Sequence, residues 1–219
     1  MSVADLPFAE VIDSLDGLRS LYPPPSARAV AKQIPSLDAH CRALIAVAPF
    51  VLIGTSNAAG DCDVSPKGGP PGFVRVLDDH RLAWADLPGN RRVDSMRNLL
   101  DNPRIGLLFL IPGMEETLRV NGRAWPTRDP AVLEAVAIDG QRPPLGIGVQ
   151  VEEAFIHCAK AFLRAKLWNP ELWPDRSALP TAACILRDHA RITEFSVGEI
   201  EASLRQSHRD GLYWPQPTG

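Results

Sequence analysis

Two neighbouring runs in the middle of the chain constrain the fold more than any other feature. Residues 105–111 are seven consecutive apolar residues, which is typical of a strand buried on both faces. Pro112 and Gly113 favour a turn. Residues 117–125 then alternate between apolar and polar side chains, the pattern of a strand with one buried face. These runs are the clearest strands that the sequence predicts.

Four shorter runs upstream also have the composition of strands: residues 50–55, 62–65, 74–77 and 81–85. A single helix, which must end before Pro103, is predicted among the six strands. Six short strands within about 75 residues favour a closed antiparallel barrel over a doubly wound parallel sheet. The sequence also contains neither a GxGxxG motif nor a Walker loop.

Helices are predicted on both sides of this barrel. Outside the six strands, the patterns indicate helices over residues 15–21, 37–48, 130–138 and 158–166, and one more strand over residues 147–155. Ser36 and Pro49 bound the second of these helices. Ser196 and Glu199 form a capping box that predicts a last helix.

The organisation expected from these elements is one domain over residues 1–219. It consists of a helical N-terminal extension (1–49), a barrel core (50–125), and a remaining strand with helices (126–219). No internal repeat and no low-complexity linker divides the sequence.

Charge and hydropathy exclude several classes of protein. Lys and Arg number 23 against 26 Asp and Glu, so the net charge of −3 argues against a general nucleic-acid binder. The least charged stretch, residues 43–60, is interrupted by Pro49 and is too short to span a bilayer. Acidic residues, among them Asp5 and Glu10, precede any basic residue, unlike a signal peptide. We therefore expect a cytoplasmic protein that binds no nucleic acid and no membrane.

Two basic segments are candidates for an anion site. Ser65 and Lys67 place a hydroxyl and an ammonium group before a flexible loop predicted over residues 66–72. Asn90, Arg91 and Arg92 precede the predicted helix, whose N-terminus also attracts anions. Either segment alone is more often a solvated basic turn. Together, in an acidic chain, they become stronger candidates for binding a phosphate.

Other chemistry-bearing residues are weaker candidates. The five histidines show no metal-ligand spacing, so no metal site is predicted. His157, Cys158 and Lys160 lie together, but a nucleophilic cysteine needs a base placed in space, and a structural role is favoured. Three tryptophans near prolines suit either packing or stacking on a planar ligand, with packing preferred: Trp168, Trp173 and Trp214.

Several segments resemble a known family. FVLIGTSNAAGDCDVSPKG, RRVDSMRNLLDNPRIG and LLFLIPGMEETLRVNGRAW are similar to segments of the pyridoxamine 5'-phosphate oxidase-like flavoproteins. The resemblance covers residues 50–125 and is strongest to a bacterial branch of FMN-dependent enzymes whose reaction is mostly unassigned. In that branch it extends to residues 18–50 and 157–168. It implies an α+β fold: an antiparallel split β-barrel that binds FMN, with peripheral helices.

The resemblance further implies that FMN lies at the interface of a homodimer. Lys67, Arg91 and Arg92 match the family's phosphate-binding positions. The oxidases have a basic residue about seven positions before an Asn-Pro pair, whereas this chain has Ser95 there, ahead of Asn102 and Pro103.

Four more residues are expected near the flavin ring. Thr117 stands where the oxidases have a glutamine that reaches the ring, and Arg119 is a candidate for stabilising the reduced flavin. Lys160 and Trp168 are expected to reach across from the partner subunit. All four are cofactor-binding candidates, together with Ser65 and Asn90.

The C-terminus separates this chain from the true oxidases. They end in a Trp-Arg-Leu segment that binds the substrate, whereas this chain ends in SHRDGLYWPQPTG. The expected function is therefore an FMN-dependent oxidoreductase for a small organic substrate other than pyridoxamine 5'-phosphate. The alternative is a non-catalytic protein that binds flavin, the deazaflavin F420 or heme on the same barrel.

Overall fold

The computed structural model describes residues 7–214, which divide into two compact units, the first ending at Gln33 and the second beginning at Ile34. The first unit contains the helices α1 (Leu15–Leu21) and α2 (Ala27–Ala31). The Ser14 and Ser26 side chains cap these helices. Helix α1 is as predicted, whereas α2 was not predicted. The expected single domain over residues 1–219 stays a prediction.

The second unit contains seven strands and six helices of four or more residues. The strands are β1 (Phe50–Ser56), β2 (Cys62–Gly68), β3 (Arg75–Val76), β4 (Arg81–Ala85), β5 (Arg104–Leu110), β6 (Thr117–Thr127) and β7 (Gly146–His157). The helices are α3 (Ala39–Val47), α4 (Asp94–Asp101), α5 (Pro130–Ala135), α6 (Lys160–Ala165), α7 (Ala182–His189) and α8 (Val197–Asp210). Within residues 7–214, every helix is too short or too polar to cross a lipid bilayer.

The strands form one antiparallel sheet in the order β2-β1-β5-β6-β7-β4-β3. All seven predicted strands are present. The expected closure is wrong for the described residues, because β2 and β3 are the two edges and do not pair with each other. Pro66 lies in the edge strand β2, where its missing N–H removes one possible ladder hydrogen bond. The fold is the α+β split barrel with peripheral helices that the resemblance implied.

Several predicted boundaries move because a strand continues. Residues 66–72 were predicted as a loop, but β2 runs on to Gly68, which pairs with Phe50. The predicted strand 147–155 continues to His157, and the helix predicted over 158–166 is present as α6, Lys160–Ala165. The predicted helix 130–138 ends earlier, since Ile138 forms an isolated bridge with Gln141.

Two helix starts show how well caps are predicted. The predicted cap Ser36 is wrong, because the Leu37 N–H bonds to a distant carbonyl, that of Asp79, and Asp38 caps α3 instead. The capping box of Ser196 and Glu199 is confirmed at the start of α8. Helix α7, capped by Thr181, was not predicted.

Strand register decides which face each side chain occupies. Residues directly opposite each other in antiparallel strands point to the same face of a sheet. One row across four strands points into the core: Lys67, Val51, Phe109 and Leu118. The next row points to the outer face: Pro66, Leu52, Leu108, Arg119 and Phe155. Lys67 and Arg119 therefore lie on opposite faces of the sheet.

Candidate functional site

A pocket of about 720 Å³ lies beside the inner face of β2. Its walls come from β2, from the segment that follows β4, from the start of α4 and from the end of α8. This volume is within the usual range of small-molecule sites. The pocket is the candidate functional site.

The two predicted basic segments meet in this pocket. Ser65 and Lys67 are half-buried, because alternate residues of β2 point inward. Asn90, Arg91 and Arg92 line the pocket from the loop before α4. The structure thus brings together five of the nine predicted site residues. Their role in binding a cofactor stays a prediction.

Helix α4 is fixed against the sheet by three polar contacts on one of its faces. Residues 95, 98 and 102 have the three- and four-residue spacing of neighbours on a helix surface. The contacts, each 3.0 Å long, are Ser95 Oγ to Asp63 Oδ2, Asn98 Nδ2 to Thr55 Oγ1 and Asn102 Nδ2 to Ser56 Oγ. They hold the N-terminus of α4 at the pocket. Ser95 therefore acts as a link to β2 rather than as a basic group.

The N-terminus of α4 carries no side-chain cap. Val93 occupies the cap position with a φ of 55° and offers no side-chain acceptor. Arg91 is also left-handed, with a φ of 61°, and Asn90 Oδ1 accepts the Arg92 N–H at 3.0 Å. The first amides of an α-helix lack partners within the helix and attract anions. The loop therefore presents donors and the Arg91 guanidinium group to the same pocket.

Arg92 differs from Arg91 because it is already paired. Its Nε lies 2.7 Å from Asp94 Oδ2. Hydrogen bonding and charge attraction to Asp94 raise the pKa of Arg92 above its ordinary value. The role of Arg92 in binding an oxyanion stays a prediction, and Lys67 and Arg91 are lining cations for which no ion pair is seen among the described residues.

Three carboxylates also line the pocket, and sequence analysis missed them as site residues. Asp63 points to the same face of β2 as Ser65 and Lys67, because alternate residues of a strand share a face. This alternation could have identified Asp63 as a site residue. Asp86 follows β4, and Asp94 opens α4. Burial raises the pKa of Asp86, while the positive charge of Lys67 lowers it by a smaller amount. The raised pKa means that ionisation of Asp86 costs folding stability as the pH rises.

The remaining wall is apolar and aromatic. Ile53, Trp84 and Ile147 come from three different strands, and Leu87 follows β4. Trp214, beyond α8, also lines the pocket. The pocket therefore combines cationic and acidic groups with apolar side chains, of which Leu87 and Trp214 are half-buried rather than buried.

The other four predicted site residues lie away from this pocket. Thr117 is buried opposite His157 in the pairing of β6 with β7. The Arg119 guanidinium carbon stands 5.4 Å from the centre of the Phe155 ring. The register places both residues on the outer face. Their contact with a cofactor stays a prediction that requires a second subunit.

Lys160 and Trp168 lie in the segment after β7. Lys160 is exposed at the start of α6. Trp168 Nε1 donates to the Met114 carbonyl at 2.8 Å, and its ring packs against the Phe162 ring at a tilt of 34°. Trp168 thus has a packing role within its own chain, and the reach of both residues into a partner's site stays a prediction.

Three solved structures that are similar to this chain are the following proteins. HupZ from Group A Streptococcus is 19% identical with a TM-score of 0.45, over 54% of this chain and 92% of HupZ. HutZ, the heme storage protein from Vibrio cholerae, is 17% identical with a TM-score of 0.40, over 55% of this chain and 94% of HutZ. An F420 reductase is 16% identical with a TM-score of 0.38, over 52% of this chain and 94% of the reductase.

Comparison with families gives a more specific result than these folds. Among curated proteins, no significant match to this sequence was found. Residues 37–157 match the family described as pyridoxamine 5'-phosphate oxidase. The match spans more than half of the 219 residues and contains β1 to β7. The chain belongs to the pyridoxamine 5'-phosphate oxidase family.

Proposed function

We propose that this protein is an FMN-dependent oxidoreductase acting on a small organic substrate. The observation that carries the proposal is the meeting of Lys67, Arg91 and the uncapped N-terminus of α4 in one pocket that also has apolar and aromatic lining residues. FMN has the matching chemistry, a phosphate at one end and a flat ring system at the other. Bound flavin supplies the redox chemistry, so the protein needs only to bind and orient it.

Different residues of the pocket bind the phosphate and the ring of FMN. Lys67 and Arg91 neutralise the phosphate, and the first amides of α4 donate hydrogen bonds to its oxygens. The half-buried Leu87 provides apolar surface for the ring. Asp86 is the one half-buried carboxyl near Lys67 with a raised pKa, and it opposes the binding of a second anionic group close to the phosphate.

Spectroscopy of the purified protein tests the cofactor. We expect flavin absorbance, or quenching of added FMN fluorescence at micromolar protein, and a mass of the extracted ligand equal to that of FMN. A colourless protein that fails to quench FMN contradicts the proposal. A mass equal to that of F420 or heme would replace FMN with that ligand.

The enzymatic part of the proposal has its own test. FMN-loaded protein should be reduced by NADH or NADPH, or reoxidised by oxygen or quinones after chemical reduction. If the bound flavin takes part in neither half-reaction, the protein is a flavin-binding module rather than an oxidoreductase.

We also propose that the protein is a homodimer that pairs through the outer face of the sheet. That face is unusually apolar for a solvated sheet surface: Leu52, Leu108, Leu110 and Phe155 are all half-buried, and Val64 is 66% exposed. A second copy on this face would cover these side chains and would meet Arg119. Light scattering should give twice the chain mass of 23.9 kDa. A monomeric mass for FMN-loaded protein contradicts the dimer.

A further inference from the structure

The segment after α8 returns to the candidate site across a long sequence separation. Ser207, Gly211 and Trp214 line the pocket. Trp214 Nε1 donates a hydrogen bond of 3.1 Å to the backbone carbonyl of Asp86, 128 positions earlier. Because this N–H is the only hydrogen-bond donor of an indole, the rest of the side chain offers carbon and π surface. The indole is thus held at the pocket with an apolar surface available for contact.

A second, smaller cavity adjoins the same indole. It has a volume of about 90 Å³, and its lining includes Ala85, Ile138, Pro143 and Tyr213. Leu87 and Trp214 line both cavities, so these two side chains form the partition between them. The small cavity lies behind the partition and contains none of the cations of the larger pocket. Trp214 therefore offers a ligand in the larger pocket an uncharged aromatic surface.

We propose that Trp214 is a ring-binding, specificity-determining residue of the site. Its indole packs against the planar ring of the ligand whose anionic tail is held by Lys67 and Arg91. The residue thereby favours flat aromatic phosphates over phosphates that lack a ring. Aromatic surfaces in contact add to the affinity beyond the area they bury. This inference rests on the proposed function, because FMN is the ligand of that class used to test it.

The test compares Trp214 with a matched tryptophan outside the site. Trp173 Nε1 also donates to a backbone carbonyl, that of Leu167 at 2.9 Å, and Trp173 is 58% exposed without lining the pocket. FMN and riboflavin, which has the ring but no phosphate, are titrated against the wild-type protein, Trp214→Phe, Trp214→Ala and Trp173→Phe. Flavin fluorescence reports binding, and thermal unfolding of each variant reports folding.

We expect Trp214→Ala to weaken the binding of FMN and of riboflavin by a similar factor, about 10- to 100-fold. Stacking on an aromatic side chain contributes that much affinity per ring. Trp214→Phe keeps a smaller ring and should give an intermediate loss. Trp173→Phe should bind like the wild type. In the wild-type protein, bound FMN should quench part of the tryptophan fluorescence. This quenching should be smaller in Trp214→Phe and unchanged in Trp173→Phe.

The possible outcomes separate this inference from the proposed function. If the wild-type protein binds neither flavin, the proposed function fails and this inference fails with it. If the wild type binds FMN and the Trp214 variants bind as Trp173→Phe does, only the role of Trp214 is overturned. A loss for FMN without a loss for riboflavin also overturns it, because the effect then arises at the phosphate. Should Trp214→Ala unfold, Trp214→Phe decides by the same criteria.

Discussion

Replacing Gly122 with alanine should lower the melting temperature by about 10 °C, the largest stability effect that we expect of a single methyl group in this protein. Gly122 lies at the β-bulge between Asn121 and Gly122, where β6 and β7 change register. A Cβ atom there would stand 2.0 Å from the backbone carbonyl oxygen of Gln150. Because that atom belongs to the backbone of β7, the strands must separate to admit it.

A glycine in the same sheet is the matched control for this change. A Cβ atom at Gly148, in β7, would meet only Thr127 Cγ2 at 3.9 Å, an ordinary contact. Gly148→Ala should therefore unfold close to the wild-type temperature. Calorimetry or circular dichroism measures both variants. Equal melting temperatures for Gly122→Ala and Gly148→Ala would show that β6 and β7 can separate at little cost in stability, contrary to this prediction.

Removing the charge of Lys67 should have the largest effect on ligand binding. Lys67→Met keeps the length of the half-buried stem but loses the ammonium group that faces the pocket. We expect FMN to bind about 1.5–3 kcal/mol more weakly, which is roughly 10- to 150-fold, as for other hydrogen bonds to a charged group. Riboflavin has no phosphate, so its affinity should not change. Arg91→Met should show the same selectivity.

Two further variants make the result specific to charge in the pocket. Arg97 is an exposed cation on α4 that does not line the pocket, so Arg97→Met should leave FMN affinity unchanged. Asp86→Asn removes a negative charge beside Lys67 and should therefore tighten FMN binding, whereas Lys67→Met weakens it. Equal losses for FMN and riboflavin in Lys67→Met would indicate damage to the pocket rather than loss of a phosphate contact.

The placement of Arg119 shows where sequence reasoning stops. The alternation of residues 117–125 predicts that Arg119 and Val120 point to opposite faces, but it does not say which face contains the site. That depends on the pairing of β6 with β5 and of β5 with β1, which sets Arg119 in the row of Leu108 rather than in that of Lys67. Expected as a ring contact, Arg119 lies on the outer face.

Local patterns along the chain were enough to predict the strands, the capping box at Ser196 and the two basic segments. Those features depend on neighbouring residues: a period of two, a turn residue or a capping side chain acts within a few positions. Lys67 and Arg91 could be singled out on that basis. Their meeting in one pocket was an expectation that came from the resemblance to a family.

How distant parts of the chain combine into the site depends on the tertiary structure. The fold brings Asp86, which follows β4, to the same pocket as Lys67 of the edge strand β2, and it sets Trp214 against the Asp86 carbonyl. Contacts across 19 and 128 positions of sequence are selected by the pairing of strands and the packing of the core, which no local pattern records. Periodicity says that a residue points inward, whereas the fold alone determines what it meets there.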